Sequence, residues 1–174
     1  MSISVSMEEL LGWNEEASSF WKAHLEAHPA LLELPCGIGG AATVNEFVRH
    51  IWGVELRWAR RLAGEPELPR EAIPSGPLDA IFDLHKQAVV LFQRMIDNPA
   101  EKWDGIYTLN VAWIPPEKQS MSRRKVLAHA LFHSQRHWAQ LATLIRTAGF
   151  PSEFRGDLLF SSALQTQQVP VSMP

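Results

Sequence analysis

Apolar residues recur at three- and four-residue spacing in four stretches of this chain, the period of amphipathic helices. The first runs from about Met7 to Ala27, with Leu10, Leu11, Trp13, Ala17, Phe20, Trp21 and Leu25 in phase and Pro29 beyond its end. The second, from Thr43 to about Leu62, opens with Thr43 and Glu46 in capping-box spacing and is stopped by Gly64 and Pro66. The third, about Leu78 to Ile96, sets Ile81, Leu84, Ala88, Leu91, Phe92 and Met95 on one face before Asn98-Pro99 breaks it. The fourth starts near Ser120 or Ser122 and reaches Thr147, where Gly149 and Pro151 close it. Four such helices predict an all-α fold, a four-helix bundle.

The connections carry the punctuation that a bundle needs. Pro66, Pro69, Pro74 and Pro77 carry the chain from Gly64 to Pro77 across the surface without regular helix. A long irregular loop between Asn98 and Ser120, with Trp103, Tyr107, Trp113 and Pro115-Pro116, precedes the last helix and has room for a short strand pair around Asp104-Gly105. Beyond Pro151 comes a polar, non-helical tail with an apolar patch at Leu158, Leu159 and Phe160, suited to docking on the bundle or on a second subunit. The length predicts a single domain over 1–174, its core at about 7–151 and its C-terminal tail at 152–174.

Composition narrows the function classes. Hydrophobic residues make up 46% and charged residues 20%, the proportions of a globular protein. A formal charge of -3 and a pI near 6.2 provide no field for phosphate backbones or anionic lipid, so no nucleic acid partner is expected. Cys36 is the only cysteine, which excludes an intrachain disulfide framework and cysteine-rich metal sites. The chain start lacks the basic and apolar regions of a secretory signal, and no apolar run reaches the ~18 residues of a membrane span. The expected location is the cytoplasm. Seven tryptophans stand against one tyrosine, and Trp13, Trp21, Trp52, Trp58 and Trp138 fall on helical segments as core fillers.

Candidate chemistry lies on the fourth helix, where His129, His133 and His137 recur every four residues in AHALFHSQRHWAQL. At about 100° per residue, setting His133 at zero puts Val126 and Leu144 near 20°, His137 near 40°, Ala130 near 60° and Leu141 near 80°. His133 and His137 therefore fall within the apolar stripe, and His129 at its edge. Buried imidazole nitrogens must be hydrogen-bonded or ligated. One transition-metal ion satisfies two imidazoles a helical turn apart, and a third ligand must then come from another helix. His50, beside Phe47 and Val54 on the second helix, is the best placed. His24 and His28 at the end of the first helix and His85 on the third read as surface or terminal histidines. A core histidine pair satisfied by ordinary hydrogen bonds remains the alternative at this point.

His50, the later HSQRHWAQL and the AGFP turn after it resemble the DinB/YfiT-like superfamily, many of whose members are metalloenzymes without an assigned reaction. Its members are four-helix bundles with a metal on three histidines, the last two in a motif similar to HxxxHRGQ. His133, His137 and Gln140 match that motif, while Trp138 and Ala139 replace its arginine and glycine. The resemblance covers about Met7 to Pro151. It implies a metal on His50, His133 and His137, and a thiol-dependent transferase or isomerase in which the metal activates a low-molecular-weight thiol or a water. It also implies a homodimer and a small-molecule substrate.

Three neutral histidines leave coordination positions open, the arrangement of catalytic rather than closed structural sites. The expected cofactor is one divalent metal ion, zinc or nickel first, with iron a further candidate. Ser134, standing where HEXXH requires glutamate, argues against peptidase chemistry, and the lack of Glu-x-x-His pairs argues against a di-iron centre. Arg57 and Arg61 continue from His50 along one helix edge, either as receivers of an anionic substrate or as a solvated charged face. Gln140 is placed to orient a ligand, and His129 to support the site from outside it rather than to ligate. Cys36, in a Pro-Cys-Gly loop, reads as an incidental small residue. The competing class is a non-catalytic bundle stabilised by metal, or a stress-related protein acting through dimer contacts.

Overall fold

Three of the four helices begin where a side chain stands ready to cap them. The structure, a computed structural model, describes residues 5–73, 76–112, 114–150 and 152–164. Helix α1 spans Met7–Ala27, and Ser6 and Glu9 form a complete capping box: Ser6 Oγ accepts from the Glu9 amide at 3.1 Å, and the Glu9 carboxylate from the Ser6 amide at 2.6 Å. Helix α2 spans Val44–Ala63. Thr43 accepts from the Glu46 amide at 3.3 Å, while Glu46 reaches back to the Ala42 amide at 2.8 Å rather than to that of Thr43. It ends at Gly64, whose φ of 72 lies in the left-handed region where a side chain would clash. Helix α3 spans Leu78–Ile96 and follows Pro77. Helix α4 spans Arg123–Thr147, and of its two candidate starts Ser122 is the cap, accepting from the Lys125 amide at 3.2 Å.

Helix α2 packs against α3 and α4, and α1 against the same two helices, so α1 and α2 stand at opposite corners of a four-helix bundle. The amphipathic faces meet in one core with Trp21, Trp52, Trp138, Phe47, Phe82 and Phe92 completely enclosed. Trp138 of α4 stacks on Trp21 of α1 at 5.4 Å between ring centroids and meets Trp52 of α2 at 4.9 Å. Indoles thus fill the centre, which accounts for most of the tryptophan excess; Trp13 is only half-buried.

The irregular regions differ in detail from expectation. Strand β1, Ile106–Thr108, follows Asp104-Gly105 but does not pair across that turn. Its antiparallel partner is β2, Ser120–Ser122, which leads directly into α4. The pairing clamps the long loop to the start of the last helix, and the Tyr107 hydroxyl fastens it to α2 by donating to the Arg61 carbonyl at 2.7 Å. The tail is not wholly irregular, since Leu158–Phe160 and Ser162–Leu164 are short 3-10 turns. It docks on its own bundle: the Trp13 indole donates to the Gly156 carbonyl at 3.1 Å, Phe154 packs on Phe20 and Trp21, and the Ser162 amide donates to Glu16 at 2.9 Å. Leu159 and Phe160 of the apolar patch stay exposed. Pro74, Trp113, Pro151 and residues 165–174 lie outside the described residues. No helix among the described residues is long and apolar enough to cross a membrane.

Because Trp21 is fully enclosed and in contact with Trp138 and Phe154, Trp21→Ala leaves a void that three separate segments line. Urea unfolding should show a loss of about 3–5 kcal/mol. A loss below about 1 kcal/mol would mean that the aromatic centre is not the keystone of the packing.

Candidate metal centre

Position along two helices brings the site together. His50 lies in the middle of α2, while His133 and His137 sit one turn apart on α4, and the contact between these helices brings all three rings together, tilted or edge-on to one another. One nitrogen from each lies within 4.8 Å of the others. The His50 ring centroid is 5.6 Å from that of His133 and 5.2 Å from that of His137. Phe47, one turn before His50, holds the pair from beneath: it lies parallel to the His50 ring at 6.4 Å and meets the His137 ring edge-on at 5.0 Å.

The hydrogen bonds indicate the tautomer of His137 and limit the choices for His133. Gln140 Oε1 lies 2.7 Å from His137 Nδ1. A carbonyl oxygen only accepts, so Nδ1 carries the proton and the lone pair of His137 is on Nε2. That Nε2 lies 3.1 Å from His133 Nε2, and the Arg136 guanidinium reaches it at 3.4 Å. If His133 donated from Nε2, its Nδ1 would become a buried acceptor, yet His133 Nδ1 is buried without a hydrogen-bond partner. If the proton sits on Nδ1 instead, two lone pairs oppose each other at hydrogen-bond distance. Either protein-only arrangement leaves a polar atom unsatisfied, at a cost of about 1–3 kcal/mol. A shared cation removes the lone-pair opposition, and a tetrahedral ion with bonds of about 2.0–2.1 Å spaces its ligand nitrogens by roughly 3.3 Å. The residues fit a metal ion.

Electrostatics favour ligation over protonation. Burial, and after it the neighbouring His137 and His50, push the His133 imidazole from its usual 6.5 down to about 3. Burial also lowers His137, and the Gln140 hydrogen bond opposes this in part. A lone pair available at neutral pH is what a metal ligand requires. Two hollows flank the rings. One of about 390 Å³ is lined by Glu46, Arg49, His50, Val54 and Arg57. A wider, mainly apolar one lies along Arg136, Gln140 and Leu144, beneath Leu34 and Ile38.

Other candidates fall around this centre or outside it. His129 is exposed, edge-on to Trp58 at 5.3 Å and with its ring 6.0 Å from that of His133. Arg61 is paired with Glu67 and lies over the Trp58 ring, and Arg57 reaches Glu67 only at 3.5 Å. Cys36 is half-buried, is not one of the clustered ligands, and its thiol is pushed up by burial, so it stays protonated. His28 is exposed, and His24 is half-buried with its ring parallel to that of Phe20.

The reading of His85 as a surface histidine is corrected. It is buried on α3, its ring 4.2 Å from that of Trp52, with Nδ1 2.7 Å from Glu55 Oε1. Glu55 of α2, which sequence reasoning missed, is completely buried. Its Oε2 accepts from Asn14 Nδ2 of α1 at 2.7 Å and from Ser134 Oγ of α4 at 2.6 Å. Gln135 extends the network to Asn14 Oδ1 at 3.3 Å. Ser134 donates to the carboxylate rather than to His85 and is fully enclosed, so this is no nucleophilic triad. The missed signal was a carboxylate flanked at helical spacing by Ile51, Trp52, Trp58 and Ala59. The stripe on α4 is centred farther round the helix than the histidine pair. Its buried residues run from Val126 round to Gln135, about 20° to 200° on the His133 scale, so Ser134 near 100° marks the centre. Half-buried His133 stands at the rim of that stripe, next to solvent, and buried His137, near 40°, just inside it.

The sequence matches the model of the DinB family over residues 1–163. No curated protein matches the chain.

The His133 shift carries a pH dependence in the metal-free protein. The unfolded imidazole takes a proton near 6.5 and the folded one near 3, so between those values the unfolded chain binds more protons. Stability is therefore whole above the upper value and falls as the pH drops below it. His133→Asn, which has no such group, should lose less stability between about pH 7 and 4 in urea titrations. Parallel losses in the two proteins would contradict the burial described here.

Proposed function

This chain belongs to the DinB family, and on that premise we propose that it holds one divalent metal ion on His50, His133 and His137 and acts on a small-molecule thiol as a transferase or isomerase. The metal reading is carried by the 3.1 Å approach of His133 Nε2 to His137 Nε2, for which neither His133 tautomer satisfies every buried nitrogen, with His50 closing the triangle. Zinc and nickel suit three imidazoles, and iron is compatible with them. When bound, the ion supplies a Lewis acid that lowers the pKa of a thiol or water placed on it.

The chain's own residues do the remainder. Gln140 holds the His137 proton on Nδ1, which keeps Nε2 free to ligate and raises its basicity. Phe47 restrains two of the three rings and keeps water from beneath them. Arg57 provides the recognition element: it lies on the edge of α2 two turns beyond His50, with Val54 between them, in the same hollow. Seven residues of helix rise about 10.5 Å. That span suits a ligand with a thiol at the histidines and a carboxylate at the guanidinium. Glu67 is occupied mainly by Arg61 and meets the partly exposed Arg57 only at 3.5 Å, which supports an anion-receiving role. His129, exposed beside the rim, is available to incoming ligand but does not ligate.

Purified protein should contain about one equivalent of zinc or nickel, while His50→Ala and His133→Ala variants, folded by circular dichroism, should lose it. Full metal content in both variants rejects the assignment. In the cobalt-substituted protein a carboxylate-bearing thiol should change the visible spectrum, and Arg57→Ala should weaken that response about tenfold without lowering metal content. A spectrum indifferent to thiols would favour a metal that serves stability alone.

A further inference from the structure

The buried carboxylate of Glu55 touches all four helices. It lies on α2 and is bonded to Asn14 on α1, His85 on α3 and Ser134 on α4, all at 2.6–2.7 Å. Asn14, Glu55 and Ser134 are completely enclosed, and His85 is 5% exposed. Such a network is an expensive way to fill a core, since well-packed apolar side chains of similar volume are often neutral or stabilising in its place. What it adds is direction. Apolar faces tolerate sliding and rotation, whereas a carboxylate with three donors tolerates neither.

The location of one of those bonds matters to the site. Ser134 directly follows His133 and precedes His137 by three residues, and Glu55 follows His50 by five. The bond from Ser134 to Glu55 therefore ties α2 to α4 between the two strands of chain that carry the clustered imidazoles. A slip of one helical turn moves α4 by about 5.4 Å, and a one-residue rotation turns it by about 100°. Either movement breaks the Ser134 bond and carries His133 and His137 away from His50 together.

We infer that Glu55, acting through Ser134, is a positioning residue that sets the register of α2 against α4 and thereby pre-organises the three histidines. The inference rests on the metal reading above for its consequence, but the register itself is observable without metal. Metal-supporting residues outside the ligand set typically change affinity about 10- to 100-fold when removed, and the same range is expected here.

The test uses two variants of the full chain. The first replaces the network by apolar residues, Asn14→Leu, Glu55→Met, His85→Phe and Ser134→Ala; the second is Ser134→Ala alone, which removes only the α4 bond. Urea unfolding, zinc affinity by chelator competition and imidazole nitrogen NMR of the metal-free proteins are measured on each. The expected result is a folded bundle that binds zinc about 10- to 100-fold more weakly, with the His137 Nδ1-H tautomer and the separation of the three ring signals lost or averaged. Should the quadruple variant not fold, Ser134→Ala decides by the same readings. Unchanged ring signals and zinc affinity in a folded variant overturn the inference. If the wild-type protein binds no zinc, nickel or iron, the metal reading fails, and the ring signals still decide whether Glu55 sets the register.

Discussion

A carboxylate cannot be left without donors in the centre of a bundle, and that constraint organises this protein. Glu55 is surrounded by side chains drawn from every other helix, so the packing that excludes water from the tryptophans must also bring Asn14, His85 and Ser134 to it. Hydrophobic burial supplies most of the driving force but has little directional preference. The carboxylate supplies direction, and one of its bonds lies beside the histidines. Core and site are therefore parts of a single polar and apolar arrangement.

Much of the fold could be read from periodicity because amphipathic helices announce themselves. The boundaries of α1 to α4 fall within a few residues of the apolar phases and stop signals, and the capping residues Thr43 and Ser122 are where their side-chain chemistry places them. The β1–β2 pair was legible only as a tendency near Gly105. Its partner strand is set by a contact across a long loop, and three-residue strands carry too little alternation to reveal their register. The tail was legible only as an apolar patch able to dock, since the contacts that hold it, Trp13 to Gly156 and Phe154 to Phe20 and Trp21, are tertiary ones that no local pattern encodes.

The histidine cluster was legible for a different reason. Spacing of four on α4 puts two rings on one face regardless of tertiary detail, and one further histidine on an amphipathic helix completes the set. The pair lies at the edge of the buried stripe of α4, whose centre is Ser134. Apolar residues alone do not reveal that centre, because Ser134 and Gln135 are polar in sequence and buried in the fold. A buried polar network looks like a gap in the hydrophobic pattern, and His85 was misread on the same ground. Polar residues flanked on both sides by apolar ones at helical spacing deserve to be read as interior.

Placement of the histidines at the edge of the stripe rather than at its centre is what a reactive site requires. At the centre, where Ser134 stands, an imidazole would be sealed by Trp138 and its neighbours, and no substrate could approach. At the rim, His137 is buried enough to lose its proton readily and His133 is open on one side, while Gln140 and Arg57 face hollows that reach solvent. The dry network and the open site thus occupy adjacent positions on one helix, separated by a rotation of about 100°. Rigidity comes from the residue that faces inward and access from the residue before it. Exchanging the two identities would leave a serine at the rim and an imidazole against Glu55, with composition, helix propensity and charge count almost unchanged and the cluster gone.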